Sequence, residues 1–323
     1  MARPWLRRAL MLAASATALA LAACGGGEIE SQLKPTRVIV FGDSTADLGQ
    51  TSTSAAARAR YTVNDTSRNI WTAQMAAGYG IALETAAAGG TSYATGNARI
   101  VAKPDAAGNA ATPTIQEQID TFLATGSFNP TDLVVVSAGT ADVIAEAQAV
   151  ITGAQSSEQM LGDLAQAGRD LGAQVRRLVQ AGARQVVVVG PYNMGRSVWA
   201  QATSQVAMLE QASARFNEQM LVSIVDLGGN VLYIDQALLF NLVTASPTAY
   251  GFATASTPVC TSVDPGPGIG TGTGQVNSAL CTPATLVSGG SSGSHVFADR
   301  VYFSPVAQRL FGDWAWERIH ERW

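Results

Sequence analysis

Histidine and cysteine are scarce in this chain, with two and three residues respectively among 323. Imidazole and thiolate are the usual ligands of zinc and iron centres, so no metal and no other cofactor is expected. Charge is also thin, at 14% of residues, with 20 basic against 24 acidic side chains. Without a basic stripe to neutralise a phosphate backbone, nucleic acid is excluded as a partner. Long apolar runs are nearly absent. The one that stands out, from Ala9 to Ala23, is too short and too alanine-rich to read as a membrane-spanning helix. What the chain has in quantity is apolar residue, 47% of the total, which is ample for a core and rules out wholesale disorder. Its length is compatible with two average domains or with one long α/β domain.

The run from Ala9 follows a basic head of Arg3, Arg7 and Arg8, the charge placement of a secretory signal. It closes in Leu21-Ala22-Ala23-Cys24, which resembles a bacterial lipobox. That resemblance implies a signal peptide over residues 1–23, cleavage before Cys24, and lipid on the Cys24 sulfur and amine. Gly25 follows where an Asp would resemble an inner-membrane retention signal, so a periplasmic or outer-membrane lipoprotein is expected. A plain signal peptide cut nearby is the alternative. Losing Arg3, Arg7 and Arg8 lowers the basic count from 20 to 17 against 24 acids, a mature charge of −7. Apart from the lipid on Cys24, anionic membrane surfaces and polyanions are therefore poor partners.

With Cys24 assigned to lipid, Cys260 and Cys281 remain for an oxidising compartment. A disulfide between them would close a Gly-, Pro-, Ser- and Thr-rich loop and stabilise the fold by roughly 3 kcal/mol on the chain-entropy model. Two free buried thiols are the alternative.

Residues 24–36 read as a tether without periodicity, and residues 37–323 as one domain. Arg37-Val38-Ile39-Val40-Phe41 is an apolar run bounded by Pro35 and Gly42, as expected of a strand buried on both faces. Three more such runs occupy 132–137, 185–189 and 231–234. Leu161, Leu164, Gly168, Leu171, Val175 and Leu178 step by three and four, predicting a long helix. Leu209, Ala212, Phe216, Met220, Ile224 and Leu227 predict another over 204–227. Alternating strands and helices predict a mostly parallel α/β sheet with helices on both faces. A Gly/Ser-rich loop insertion is expected over about 254–294.

In such sheets the carboxyl ends of the strands carry the chemistry. The first strand leads into Gly42-Asp43-Ser44-Thr45-Ala46-Asp47-Leu48-Gly49. A serine on the turn after a buried strand can be held rigid as a nucleophile; an Asp-Ser pair is otherwise a common helix cap. The run resembles the leading motif of the SGNH, or GDSL-type, serine esterases and lipases, G-D-S-x-x-D-x-G.

Three further stretches extend the resemblance, in family order. Ala88-Gly89-Gly90-Thr91 is similar to the motif whose glycine N–H binds the oxyanion, which implies that role for Gly90 beside the amide of Ser44. Gly139-Thr140-Ala141-Asp142 is similar to G-x-N-D, but Ala141 holds the asparagine position, so the side-chain oxyanion donor is lost. Asp299-Arg300-Val301-Tyr302 is similar to the closing D-x-x-H, with Tyr302 where the general-base histidine belongs. A phenol with an ordinary pKa near 10 accepts a serine proton poorly at neutral pH. Neither His295, four residues before Asp299, nor His320, on a helix 18 residues past Tyr302, is expected to replace that base. The G-x-S-x-G match at Gly289-Gly290-Ser291-Ser292-Gly293 lacks the strand before it that this motif demands.

The resemblance implies a three-layer α/β/α sandwich of flavodoxin-like type and a monomer. It implies carboxylic ester hydrolysis, with Ser44 as nucleophile and Asp299 and Tyr302 at the acid–base positions. The expected partner is an ester- or acyl-bearing small molecule, lipid or glycan. Loss of the family Asn and His leaves a second class open, a non-catalytic descendant that binds an envelope glycan or lipid.

Overall fold

The computed structural model describes residues 33–51, 59–65 and 70–323. The signal-like segment and Cys24 lie outside the described residues. Four strands form one parallel sheet in the order β1 (Arg37–Gly42), β2 (Asp132–Ser137), β3 (Gln185–Val189) and β4 (Val231–Tyr233). All six β2 residues are buried, so both faces of the sheet are covered, which is why these strands read as unbroken apolar runs. On the free side of β1, residues 91–93 run parallel to it. Val40 N donates to Thr91 O, and Tyr93 N to Val40 O.

Eight helices occur among the described residues: α1 (Trp71–Gly78), α2 (Ile115–Thr125), α3 (Thr140–Ile151), α4 (Ser157–Gln180), α5 (Val198–Ala202), α6 (Val206–Ile224), α7 (Gln236–Ala245) and α8 (Pro305–Arg322). Helix α4 buries Leu164, Leu171, Val175 and Leu178, the positions of its predicted stripe. It packs against α6, which buries Leu209, Phe216, Met220 and Ile224. Gly168 lets the two helices approach closely, because a Cβ there would stand 2.3 Å from Phe216 O. Helix α1 packs on α8, with Trp71 edge-on to Phe311 at 4.9 Å. The result is the predicted α/β architecture around a parallel sheet.

The 254–294 stretch holds more structure than a Gly/Ser-rich loop. It contains β5 (Thr254–Pro258), which pairs in parallel with β8 (His295–Phe297), and the short antiparallel pair β6 (Val263–Asp264) and β7 (Gln275–Val276). Cys260 and Cys281 are joined with their Cα atoms 5.8 Å apart, tying the two ends of the β6–β7 excursion together.

Candidate active site

Gly42, Ser137 and Val189 end their strands in register, so the turns that follow converge on one edge. The turn after β1 is built by its own carboxylates. Asp43 Oδ1 accepts from Thr45 N (2.9 Å) and Thr45 Oγ1 (2.7 Å), while Oδ2 accepts from Thr140 N (2.9 Å) and Ala141 N (3.3 Å). One side chain therefore shapes the serine turn and also caps the positive end of α3. Asp47 does similar work, accepting from Gly49 N, Gln50 N and Gly96 N, each at 2.8 Å. Burial pushes both carboxyls up, Asp47 to about 6, against the pull of these N–H donors. Asp142 is pushed up to about 7 by burial and by the Asp43 charge, opposed by Arg99 and by a bond from Ile100 N (3.1 Å).

Ser44 sits on this scaffold with no exposed surface. Its Oγ accepts from Asn97 N at 2.7 Å and donates to Asn97 Oδ1 at 3.4 Å. Asn97 adopts a left-handed backbone, φ 61°, which asparagine tolerates better than most residues. The segment that carries it follows β1 upward, with Thr95 N donating to Gly42 O.

This corrects the assignment of Gly90. That residue precedes the segment, near the middle of β1, and its N–H donates to Thr85 O at 2.8 Å. Glycine is needed there because a Cβ would stand 2.3 Å from Glu84 O, a packing requirement unrelated to Ser44. The amide that reaches Ser44 belongs to Asn97, seven residues later. A Gly-Asn pair following a short strand was the available signal.

Ala141 supplies no oxyanion donor from its side chain, and its N–H is engaged by Asp43. Asp299 is also committed: Oδ1 accepts from Val301 N (2.8 Å) and Tyr302 N (2.7 Å), and Oδ2 from Ser278 N (3.0 Å). The carboxylate expected to orient a base instead closes its own turn and fastens segment 260–281 to it. Tyr302 is 1% exposed, packs edge-on to Tyr61 at 5.1 Å, and keeps its hydroxyl buried without a hydrogen-bond partner. Burial, then the Asp43 charge, drives this phenol well above its ordinary range, with the nearby Ser44 hydroxyl acting the other way. Tyr61 is raised likewise by burial and by the Asp47 and Asp105 charges. Both phenols therefore stay protonated at neutral pH.

Neither histidine is joined to Ser44 or to these phenols by a hydrogen bond among the described residues. His295 opens β8 with Nδ1 2.8 Å from Ser294 Oγ, and burial lowers its pKa. His320 stacks on Trp316 at 4.7 Å in the last turn of α8. The roof of the site comes from afar. Tyr61 lies over Gly96, where its hydroxyl stands 2.2 Å from an ideal Cβ position, and Gly268 O accepts from Asn97 Nδ2 at 3.4 Å.

A family model described as GDSL-like Lipase/Acylhydrolase matches residues 38–315, a span that includes the Ser44 turn and the Asp299 turn. The chain belongs to the GDSL-like lipase/acylhydrolase family. Its hydrolase-type α/β fold follows from that membership. Among curated proteins, it is 25% identical over 161 residues to an "Uncharacterized protein in trpE-trpG intergenic region" of Pseudomonas putida. That match covers 50% of this chain and 26% of the relative's length. A solved structure covers 89% of this chain and 98% of its own, at 13% identity and a TM-score of 0.46.

Proposed function

We propose that this GDSL-family protein acts on carboxylic ester bonds with Ser44 as nucleophile, and that it turns over slowly. The observation that carries the reading is the Asn97 N–H at 2.7 Å from Ser44 Oγ, on a turn held by Asp43 and Asp47 at the carboxyl end of β1. An amide donor beside a rigid serine is the core of an acyl-transfer site, since it meets the charge that develops on the carbonyl oxygen. Slow turnover follows from the surroundings: two protonated phenols face Ser44, and Asp299 is spent on its own turn. The serine proton must then leave to water admitted with the substrate. The Cys260–Cys281 bond and the lipobox-like Leu21-Ala22-Ala23-Cys24 support an exported, lipid-anchored protein that meets acyl-bearing lipids or glycans of the cell envelope.

The same phenols and the closed roof favour a second reading, a non-catalytic binder of such a lipid or glycan in the old cleft. A fluorophosphonate probe with hydrolysis of a short-chain aryl acetate separates the two. The hydrolase reading expects covalent labelling at Ser44 and slow hydrolysis, both lost in Ser44→Ala. Absence of labelling, or hydrolysis that survives Ser44→Ala, overturns it.

A further inference from the structure

We propose that the side-chain amide of Asn97 is the second oxyanion donor of the Ser44 site, taking over the position left empty at Ala141. The inference rests on the ester-hydrolase reading and assigns a role to a residue which that reading uses only through its backbone. Asn97 is 7% exposed and meets Ser44 twice, through its N–H at 2.7 Å and through Oδ1 at 3.4 Å. Its Nδ2 rests on Gly268 O at 3.4 Å. Both side-chain contacts lie at the long limit of hydrogen bonding; turning the carboxamide over breaks both and sets Oδ1 toward Gly268 O, two acceptors that a water must then separate. Gly268 is partly open to solvent, and its carbonyl can take water when released.

The chemistry rewards that turn. When Ser44 Oγ bonds to the acyl carbon, the carbonyl π pair moves onto oxygen and the serine proton passes to water. The new anion sits next to the backbone N–H of Asn97, within reach of whichever carboxamide edge faces Ser44. In the resting state that edge is Oδ1, which accepts the serine proton's hydrogen bond. In the transition state Nδ2 donates to the oxyanion instead. Collapse of the intermediate expels the alkoxide, which leaves as the alcohol with a proton from water. The residue types around the site narrow the choice of donor. Ala141 offers a methyl group and an N–H already committed to Asp43, whereas Asn97 already touches Ser44 through both its backbone and its side chain.

A left-handed backbone alone would also select asparagine at position 97, so the experiment must separate the two roles. Asn97→Gly keeps the left-handed conformation and the N–H and removes only the carboxamide; Asn97→Asp keeps the shape and removes the NH2 donor. The readouts are the rate constant for phosphonylation of Ser44 by a fluorophosphonate, kcat and KM for an aryl acetate, and the melting temperature. Loss of one oxyanion donor costs about 10²-fold in rate in a comparable site. Asn97→Gly and Asn97→Asp should both fall by about that factor in kcat and labelling rate, with KM and melting temperature unchanged. Adding Ala141→Asn to Asn97→Gly should restore at least a tenth of the loss. Wild-type rates in Asn97→Gly, a slowing tied to a lower melting temperature, or no recovery in a folded double variant would each overturn the assignment while leaving Ser44 as nucleophile. A wild type that is not labelled at all overturns the hydrolase reading, and the Asn97 role with it.

Discussion

Tyr302→His puts an imidazole where the structure holds a phenol that cannot accept a proton. The stability cost works out small. The edge-on contact with Tyr61 is lost, about 1 kcal/mol, together with part of the ring volume. Against this, a buried hydroxyl without a hydrogen-bond partner disappears, and its desolvation costs about 1–3 kcal/mol. The variant should therefore melt within a few degrees of wild type. A positioned general base contributes about 10²–10⁴-fold. The lower figure is expected here, because Asp299 already accepts three backbone N–H bonds and holds a new imidazole weakly. Hydrolysis of an aryl acetate should rise about 10²-fold and acquire a pH inflection from the new imidazole, which burial pulls down and the Asp43 and Asp299 charges pull up. The gain should vanish in Tyr302→His with Ser44→Ala. A folded Tyr302→His that is no faster than wild type, or a gain that survives Ser44→Ala, refutes the placement of Tyr302 and Ser44 in one acid–base pair.

Three other outcomes are expected. Cys260→Ser with Cys281→Ser should cost about 3 kcal/mol, a fall of roughly 5–10 °C in melting temperature, and should speed fluorophosphonate access to Ser44; an unchanged labelling rate would detach segment 260–281 from the roof. Asp142, held at about 7 when folded against 3.8 when free, keeps in the folded state a proton that the unfolded chain releases. Its stability contribution is therefore present at low pH and declines by roughly 3 kcal/mol as pH climbs from 4 to 7; Asp142→Asn should flatten that slope in chemical denaturation, and parallel pH curves would contradict it. Cys24→Ser should move the protein from the membrane fraction into the soluble periplasmic fraction, and unchanged fractionation would remove the lipoprotein reading.

The sheet was legible because burial on both faces writes itself as uninterrupted Val, Ile and Leu, as in Leu133-Val134-Val135-Val136. The long helices were legible for a related reason: the contact face of α4 against α6 repeats with the helical period. The serine turn was also readable, since Asp43, Asp47 and Gly49 each serve bonds within or beside the turn. The oxyanion side was harder. Gly89-Gly90 is the more conspicuous pair, yet which residue of the 91–97 segment arrives beside Ser44 depends on its pairing with β1, and no local pattern reports that register. The roof was invisible for the same reason. Tyr61 and Gly268 reach Ser44 and Asn97 across large sequence separations, and Asp299 was assigned to a base before Ser278, Val301 and Tyr302 could be seen to occupy it.

The bond between Cys260 and Cys281 also divides the site into two parts along the chain. All four strands of the main sheet, the Ser44 turn and the Asn97 amide lie before Cys260 in the chain, and their mutual contacts do not involve either cysteine. Ser278, which fastens Asp299, and Gly268, which rests on Asn97, both lie inside the loop that the bond closes. The nucleophile turn and its cover are thus separable parts: the bond constrains the loop that carries Ser278 and Gly268 and leaves the hydrogen bonds of the turn itself untouched.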